Sequence, residues 1–217
     1  LHALYDRSGR GAVGGAKVAI TTAVMQRLMK IGEPCGGAVF AGEIHRSPAT
    51  LRVADFGRAA VECEIAVTLG RDLPGGQSRD EIAEAIESCH AAIELIDDGR
   101  AEYGLFDALD LIADNAWNAG LVLGPPVKEW RHLDLSALAG TMTVGGRLAG
   151  RGTGADVLGH PLNALVWLAD TLARRGRPLR AGMVITTGSI VATQWPLPGD
   201  TVEVEIEGLG KATASFA

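Results

Sequence analysis

The chain has 217 residues, 47% of them hydrophobic, with a formal net charge of −6, enough apolar material for one core and a length that suits a single catalytic domain over 1–217. The acidic balance, without a basic cluster beyond Arg174-Arg175-Gly176-Arg177, argues against nucleic acid or an anionic membrane as partner. No apolar run approaches the roughly 20 residues that cross a bilayer.

Residues 12–20 predict a strand that carries Lys17 among apolar neighbours, and 21–31 a short helix with Val24, Leu28 and Ile31 at helical spacing. From Gly36-Gly37 to Pro48 the chain reads as a loop bearing Glu43, His45 and Arg46. Residues 60–69 alternate, with Val61, Cys63, Ile65 and Val67 on one face and Glu62, Glu64 and Ala66 on the other. Ser78 and Glu81 form a capping box that opens a helix to about Ser88. Ala91–Ile96 fits either an extension of that helix or a new strand. His160-Pro161 opens a second helix, with Leu162, Leu165, Val166, Ala169 and Leu172 as its stripe and Gly176 beyond its end. Strands are predicted at Met183–Thr187, Thr201–Ile206 and Ala212–Phe216, and Gly150–Gly154 reads as a loop. This predicts an α+β domain with a curled, mostly antiparallel sheet and peripheral helices.

Cys35, Cys63 and Cys89 form no CxxC pair and no even disulfide set, which predicts buried thiols in a reduced, cytoplasmic protein. The chain opens at Leu1 rather than Met, so some N-terminal residues are expected to be missing from it.

Glu62-x-Glu64 places two carboxylates on one strand face, roughly 6–7 Å apart along the chain. Two nearby anions repel unless a cation sits between them, and Mg²⁺ seeks oxygen ligands; the same spacing also describes an ordinary solvated strand face. Lys17, partly removed from water, would have its pKa lowered towards a general acid/base role, or it snorkels from a strand edge. Asp114-Asn115-Ala116-Trp117-Asn118 shapes a pocket or forms a hydrogen-bonded turn. Neither a G-x-S-x-G elbow, a P-loop, nor a GxGxxG opening a helix is present.

In chain order the segments GAKVAITT (15–22), VECEIAVTLGRDLP (61–74), IELID (93–97), DNAWNAGLVLG (114–124), GHPLNALVWLADTL (159–172), AGMVITTGS (181–189) and PGDTVEVEIEGLGKATASF (198–216) resemble the fumarylacetoacetate hydrolase superfamily, in its 2-keto-4-pentenoate hydratase and 4-oxalocrotonate decarboxylase branch. The resemblance implies a β-roll, places 91–96 on a strand, and puts Mg²⁺ or Mn²⁺ on Glu62, Glu64 and Glu94. It makes Lys17 the active-site lysine and implies a small 2-keto acid substrate, with Asn115, Trp117 and Ser189 as substrate-binding residues. It also implies a homo-oligomer and admits a complex with a pathway neighbour. Where the hydratases of the branch carry tandem aspartates, this chain has Ala41 and Gly42, leaving Glu43 or His45 as stand-ins. Trp117 is bulkier than the small residues usual there, so the pocket is narrower or shaped for a different tail.

The leading expectation is a hydratase that adds water to a 2-hydroxy-2,4-dienoate. A 2-oxo-3-enedioate decarboxylase on the same scaffold needs no water-activating aspartate. A C–C hydrolase of acylpyruvates could use Glu43 and His45, and a degenerate homologue serving as a partner subunit would need none of these residues.

Overall fold

A computed structural model describes residues 9–217. Its strands are β1 (Val13–Ala19), β2 (Cys35–Phe40), β3 (Ile44–Arg46), β4 (Ala49–Leu51), β5 (Ala59–Leu69), β6 (Ile86–Asp97), β7 (Asn118–Leu123), β8 (Ala139–Val144), β9 (Arg147–Thr153), β10 (Val184–Gln194), β11 (Thr201–Ile206) and β12 (Gly210–Phe216). They form a seven-stranded sheet in the order β2-β1-β10-β5-β6-β7-β3 and a five-stranded sheet in the order β4-β12-β11-β8-β9. Most neighbours are antiparallel; β1/β10, β3/β7 and β4/β12 run parallel. The expected α+β architecture with a mostly antiparallel sheet is what the chain adopts.

Alternation along β5 decides how the sheets pack. Val61, Cys63, Ile65 and Val67, with Ala91, Ile93 and Leu95 of β6, share one core with Met142, Val202, Val204, Ala212 and Phe216 of the smaller sheet. Each fully buried Val, Leu or Ile there contributes roughly 1.5–3 kcal/mol of transfer free energy. A slip of one residue would exchange this face with the one carrying Glu62 and Glu64, so burial of the apolar set fixes the register of the acidic set.

The opposite face of the large sheet curls on itself. Val39 of β2, Ala66 of β5, Ala92 of β6, Leu121 of β7 and Val184 of β10 form a small cluster there. β2 and β7 lie far apart in strand order, yet they touch. The result is a concave face lined by the even-numbered positions of β5 and β6.

Among the described residues four helices lie at the periphery: α1 (Ala23–Leu28), α2 (Arg79–Ala85), α3 (Ala108–Ala113) and α4 (Pro161–Arg174). The capping box at Ser78 and Glu81 is present, but α2 stops at Ala85, where Ile86 turns extended and begins β6. Residues 91–96 therefore lie on a strand, inside a longer one than expected. His160 caps α4 by accepting from the Leu162 N–H at 3.1 Å, and Gly176 follows with φ +69°. In α1, Val24 and Leu28 are exposed rather than core-facing.

Two glycine-rich stretches are strands, not loops. At Gly37 a β-carbon would lie 2.5 Å from the Asn115 carbonyl oxygen, and at Gly152 1.8 Å from that of Ile190. Glycine serves close backbone approach at both positions, a signal indistinguishable from a turn in sequence. No helix is long and apolar enough to cross a membrane among the described residues.

Candidate metal centre and active-site cleft

In the β5–β6 pairing, Glu62 lies opposite Glu94 and Glu64 opposite Ala92. Each of Glu62, Glu64 and Glu94 offers an oxygen within 4.8 Å of the others'. Glu64 and Glu94 are fully buried; Glu62 is half-buried. Like charges directly across a ladder repel, and burial removes the water that would screen them, so an uncompensated arrangement would be costly.

Each carboxylate is oriented by one partner. Thr193 donates its hydroxyl to Glu62 Oε1 at 2.5 Å, the Gly188 N–H donates to Glu64 Oε2 at 2.7 Å, and Asn118 Nδ2 donates to Glu94 Oε1 at 2.8 Å. The other oxygens of the two buried residues, Glu64 Oε1 and Glu94 Oε2, have no partner. Two buried carboxyl oxygens without a donor, converging with a third carboxylate, fit a hard divalent cation of the Mg²⁺ or Mn²⁺ type, whose charge would favour their ionised form. Burial, then Glu94 and Glu62, push the Glu64 carboxyl well above the ordinary carboxylate range. Glu62 is raised as well, by burial against the opposing pull of Lys17.

Lys17 Nζ sits 3.0 Å from Glu94 Oε1. Three strand spacings separate β1 from β6, roughly 14 Å in a flat sheet, so the curl is what brings the two side chains together. The expected downward shift of Lys17 is not what the structure gives. Burial is the largest single effect and does lower its pKa, but Glu94, Glu62 and Glu64 together outweigh it and hold the ammonium above its usual range.

A cavity of about 800 Å³ opens above these groups, lined by Lys17, Glu62, Trp117, Ser189 and Thr193 among others. In its wall Tyr103 packs edge-on against Trp117 at 5.1 Å and against Trp195 at 6.3 Å, and Phe106 backs Trp117 at 5.8 Å. Asp98, buried beneath, collects these groups. It accepts a bidentate pair of bonds from Arg58 (2.7 and 2.6 Å), the Tyr103 hydroxyl at 2.8 Å and the Trp195 indole N–H at 3.1 Å. Burial would raise its pKa, but these donors together depress it, while burial and Asp98 push the Tyr103 hydroxyl up.

The sequence-predicted residues thus divide. Lys17, Glu62, Glu64 and Glu94 come together, and Trp117 and Ser189 line the same cavity, with the Ser189 hydroxyl donated to the Val191 carbonyl at 2.6 Å. Asn115 is instead a backbone clamp: its amide accepts from the Ala38 N–H at 2.7 Å and donates to the Ala38 carbonyl at 2.9 Å. Glu43 is paired with Arg10 at 2.6 Å, and neither Glu43 nor His45, on β3 beside Val122, lines the cavity. The Trp117 ring forms part of the wall of this cavity. Sequence reasoning missed Thr193, Asn118 and the Asp98 assembly. Asn118 alone gave a signal, as the second asparagine of the DNAWN stretch.

Comparison with known proteins agrees with this geometry. The fumarylacetoacetate (FAA) hydrolase C-terminal family profile matches residues 39–217. A 2-keto-4-pentenoate hydratase of Paraburkholderia phymatum is 36% identical over 94% of this chain and 78% of its own length. A 2-hydroxyhexa-2,4-dienoate hydratase of Comamonas testosteroni is 33% identical over 100% of this chain and 83% of its own. The solved 4-oxalocrotonate decarboxylase from Pseudomonas putida G7, complexed with magnesium and adipate, superposes with a TM-score of 0.91 at 29% identity, covering 100% of this chain and 82% of that one. The chain belongs to the fumarylacetoacetate hydrolase family.

Proposed function

We propose that the protein is a divalent-metal-dependent lyase that adds water to a 2-hydroxy-2,4-dienoate to give a 4-hydroxy-2-keto acid. The observation that carries this reading is the pair of orphaned buried oxygens on Glu64 and Glu94, converging with Glu62 beside Lys17 at the floor of a ligand-sized cavity. The hydratase names of the relatives support it.

Glu62, Glu64 and Glu94 would hold Mg²⁺ or Mn²⁺, which when bound supplies Lewis-acid stabilisation of negative charge at the 2-keto oxygen. Thr193, Gly188 and Asn118 hold the three carboxylates in place. Lys17 carries the proton: its ammonium delivers one to the terminal carbon of the dienol while the 2-hydroxyl proton returns to the lysine amine, producing a 2-oxo-3-enoate. Hydroxide from water then adds to the distal alkene carbon and a proton to its neighbour, so one water is consumed and nothing leaves. Because Glu43 and His45 lie off the cavity, we assign neither a proton-transfer step.

One observation favours the decarboxylase as second reading. Among the described residues the acid lining the cavity besides Glu62 is Asp156, and its Oδ2 already accepts from the Thr153 N–H at 2.7 Å. Decarboxylation of a 2-oxo-3-enedioate needs no such acid.

Purified protein with Mg²⁺ and 2-hydroxypenta-2,4-dienoate should lose the dienol absorbance and yield 4-hydroxy-2-oxopentanoate. An unchanged spectrum, with CO₂ released from 2-oxohex-3-enedioate instead, would replace the first reading by the second.

A further inference from the structure

The cavity exceeds the needs of the shortest dienoate. At about 800 Å³ it lies in the upper part of the range that accepts drug-sized ligands. Lys17 and Glu62 give its lining a polar part, and the aromatic trio Tyr103, Trp117 and Trp195 lines it as well.

Two of the three polar atoms of that wall are already engaged. The Tyr103 hydroxyl and Trp195 indole N–H donate to Asp98, which does not line the cavity. The cation at that wall is engaged too, since both arms of Arg58 grip Asp98. What the wall offers a ligand is chiefly hydrocarbon. Val24, Met25 and Leu28 of α1 line the same cavity with 64%, 37% and 54% of their surface exposed. Apolar groups open to water in a single lining with Lys17 and Glu62 are suited to the tail of whatever binds those two residues.

We propose that the Tyr103–Trp117–Trp195 wall, held in position by the Arg58–Asp98 ion pair, recognises an uncharged alkyl or aryl tail, so that the enzyme prefers tailed 2-hydroxydienoates to the unsubstituted acid and to enedioates. This deepens the reading of the site as a 2-keto acid metal centre and rests on it. Among the described residues Arg151 is the other cation in the lining besides Lys17. It is exposed on β9, where an ion pair in water yields little net affinity, so a distal carboxylate gains little from it. Tyr103 and Trp195 touch the tail in this scheme; Asp98 and Arg58 are positioning residues, because they act through those rings.

Calorimetry of the Mg²⁺-loaded protein with unreactive saturated 2-oxo acids tests this. Burial of each added methylene should tighten binding about four-fold, so 2-oxohexanoate and 4-phenyl-2-oxobutanoate should bind at least about ten-fold more tightly than pyruvate, and 2-oxoadipate no more tightly than pyruvate. In Trp195→Ala and Tyr103→Leu the ratio of tailed acid to pyruvate should collapse towards one. Asp98→Asn should reduce that ratio while leaving the rings present. Mg²⁺-dependent pyruvate binding with no gain from a tail, or with 2-oxoadipate tightest and that advantage lost in Arg151→Ala, would overturn the tail assignment alone. Absence of Mg²⁺-dependent pyruvate binding would overturn the metal-centre reading and the tail with it.

Discussion

Glu62 and Glu94 are direct cross-strand partners on β5 and β6, and the charge that offsets their repulsion comes from elsewhere in the fold: Lys17 on β1, 3.0 Å from Glu94. The arrangement makes charge balance the property to perturb.

Mg²⁺ should stabilise the protein, because it binds a cluster that only the folded chain assembles. At a hundred-fold excess over the dissociation constant the gain is about 2.7 kcal/mol, or roughly 5–10 °C in Tm for a chain of this size. Glu64→Gln keeps an oxygen for the Gly188 N–H and can donate its amide to Glu94. Scanning calorimetry should therefore show the variant at least as stable as wild type without metal, and unresponsive to Mg²⁺. A normal response would remove Glu64 from the ligand set.

Lys17→Met should separate metal binding from chemistry. Removing the ammonium leaves Glu94 more negative in its surroundings, so Mg²⁺ should bind at least as tightly as in wild type. Turnover should fall about 10²–10⁴-fold, the usual worth of a positioned acid/base. Titration calorimetry and kcat on one preparation decide it; a parallel loss of both would make the role structural.

The buried His90 should make stability acid-sensitive. Its Nδ1 lies 3.0 Å from the Gly124 carbonyl, which can only accept, so Nδ1 carries the hydrogen and Nε2 accepts from the Thr68 and Ser88 hydroxyls at 3.0 and 3.2 Å. Burial lowers its pKa from the ordinary 6.5, more than the Gly124 bond raises it. Below about 6.5 the unfolded chain therefore takes up a proton that the folded chain refuses, and stability falls as pH falls, by up to about 1.4 kcal/mol per unit. His90→Asn can still donate to Gly124 but cannot titrate. Urea midpoints at pH 7.5, 6.5 and 5.5 should fall less steeply for the variant.

Gly15→Ala should damage the site from a distance. A β-carbon there would lie 1.9 Å from the Val184 carbonyl oxygen, so β1 must move off β10. Lys17, two residues along, should be displaced from Glu94. We expect kcat to fall by about 10²-fold, the cost of roughly an ångström of misplacement, alongside a lowered Tm. A variant with wild-type kcat would show that the lysine tolerates the shift.

The parts of this molecule legible in sequence are those set by short periods. Alternation along β5 put Glu62 and Glu64 on one face, and Ser78 with Glu81 marked the start of α2. Glu94 was opaque to periodicity, because β6 is buried on both faces from Ser88 to Ile96 and shows no alternation; resemblance to a family supplied it. Gly36-Gly37 and Gly150–Gly154 misled, since tight packing and chain reversal call for the same residue. The Asp98 assembly was invisible, because it joins residues from 58 to 195 that only the tertiary fold brings together. Glu43 and His45 follow Phe40, which pairs with Val13 at the start of β1, whereas Lys17 pairs with Gly37, so the chain leaves β2 at the end of the ladder away from the lysine.

All three metal-site carboxylates sit on one hairpin, β5–α2–β6, whereas the aromatic wall is recruited from three separate stretches: the loop after β6, the turn before β7 and the end of β10. The two are joined at Asn118 and Thr193, which orient Glu94 and Glu62 from the residue after Trp117 and from two residues before Trp195. Substitutions at either tryptophan should therefore be felt at the carboxylates, whereas Tyr103 reaches them through no such neighbour, which makes it the position where the wall can change with least disturbance to the ladder.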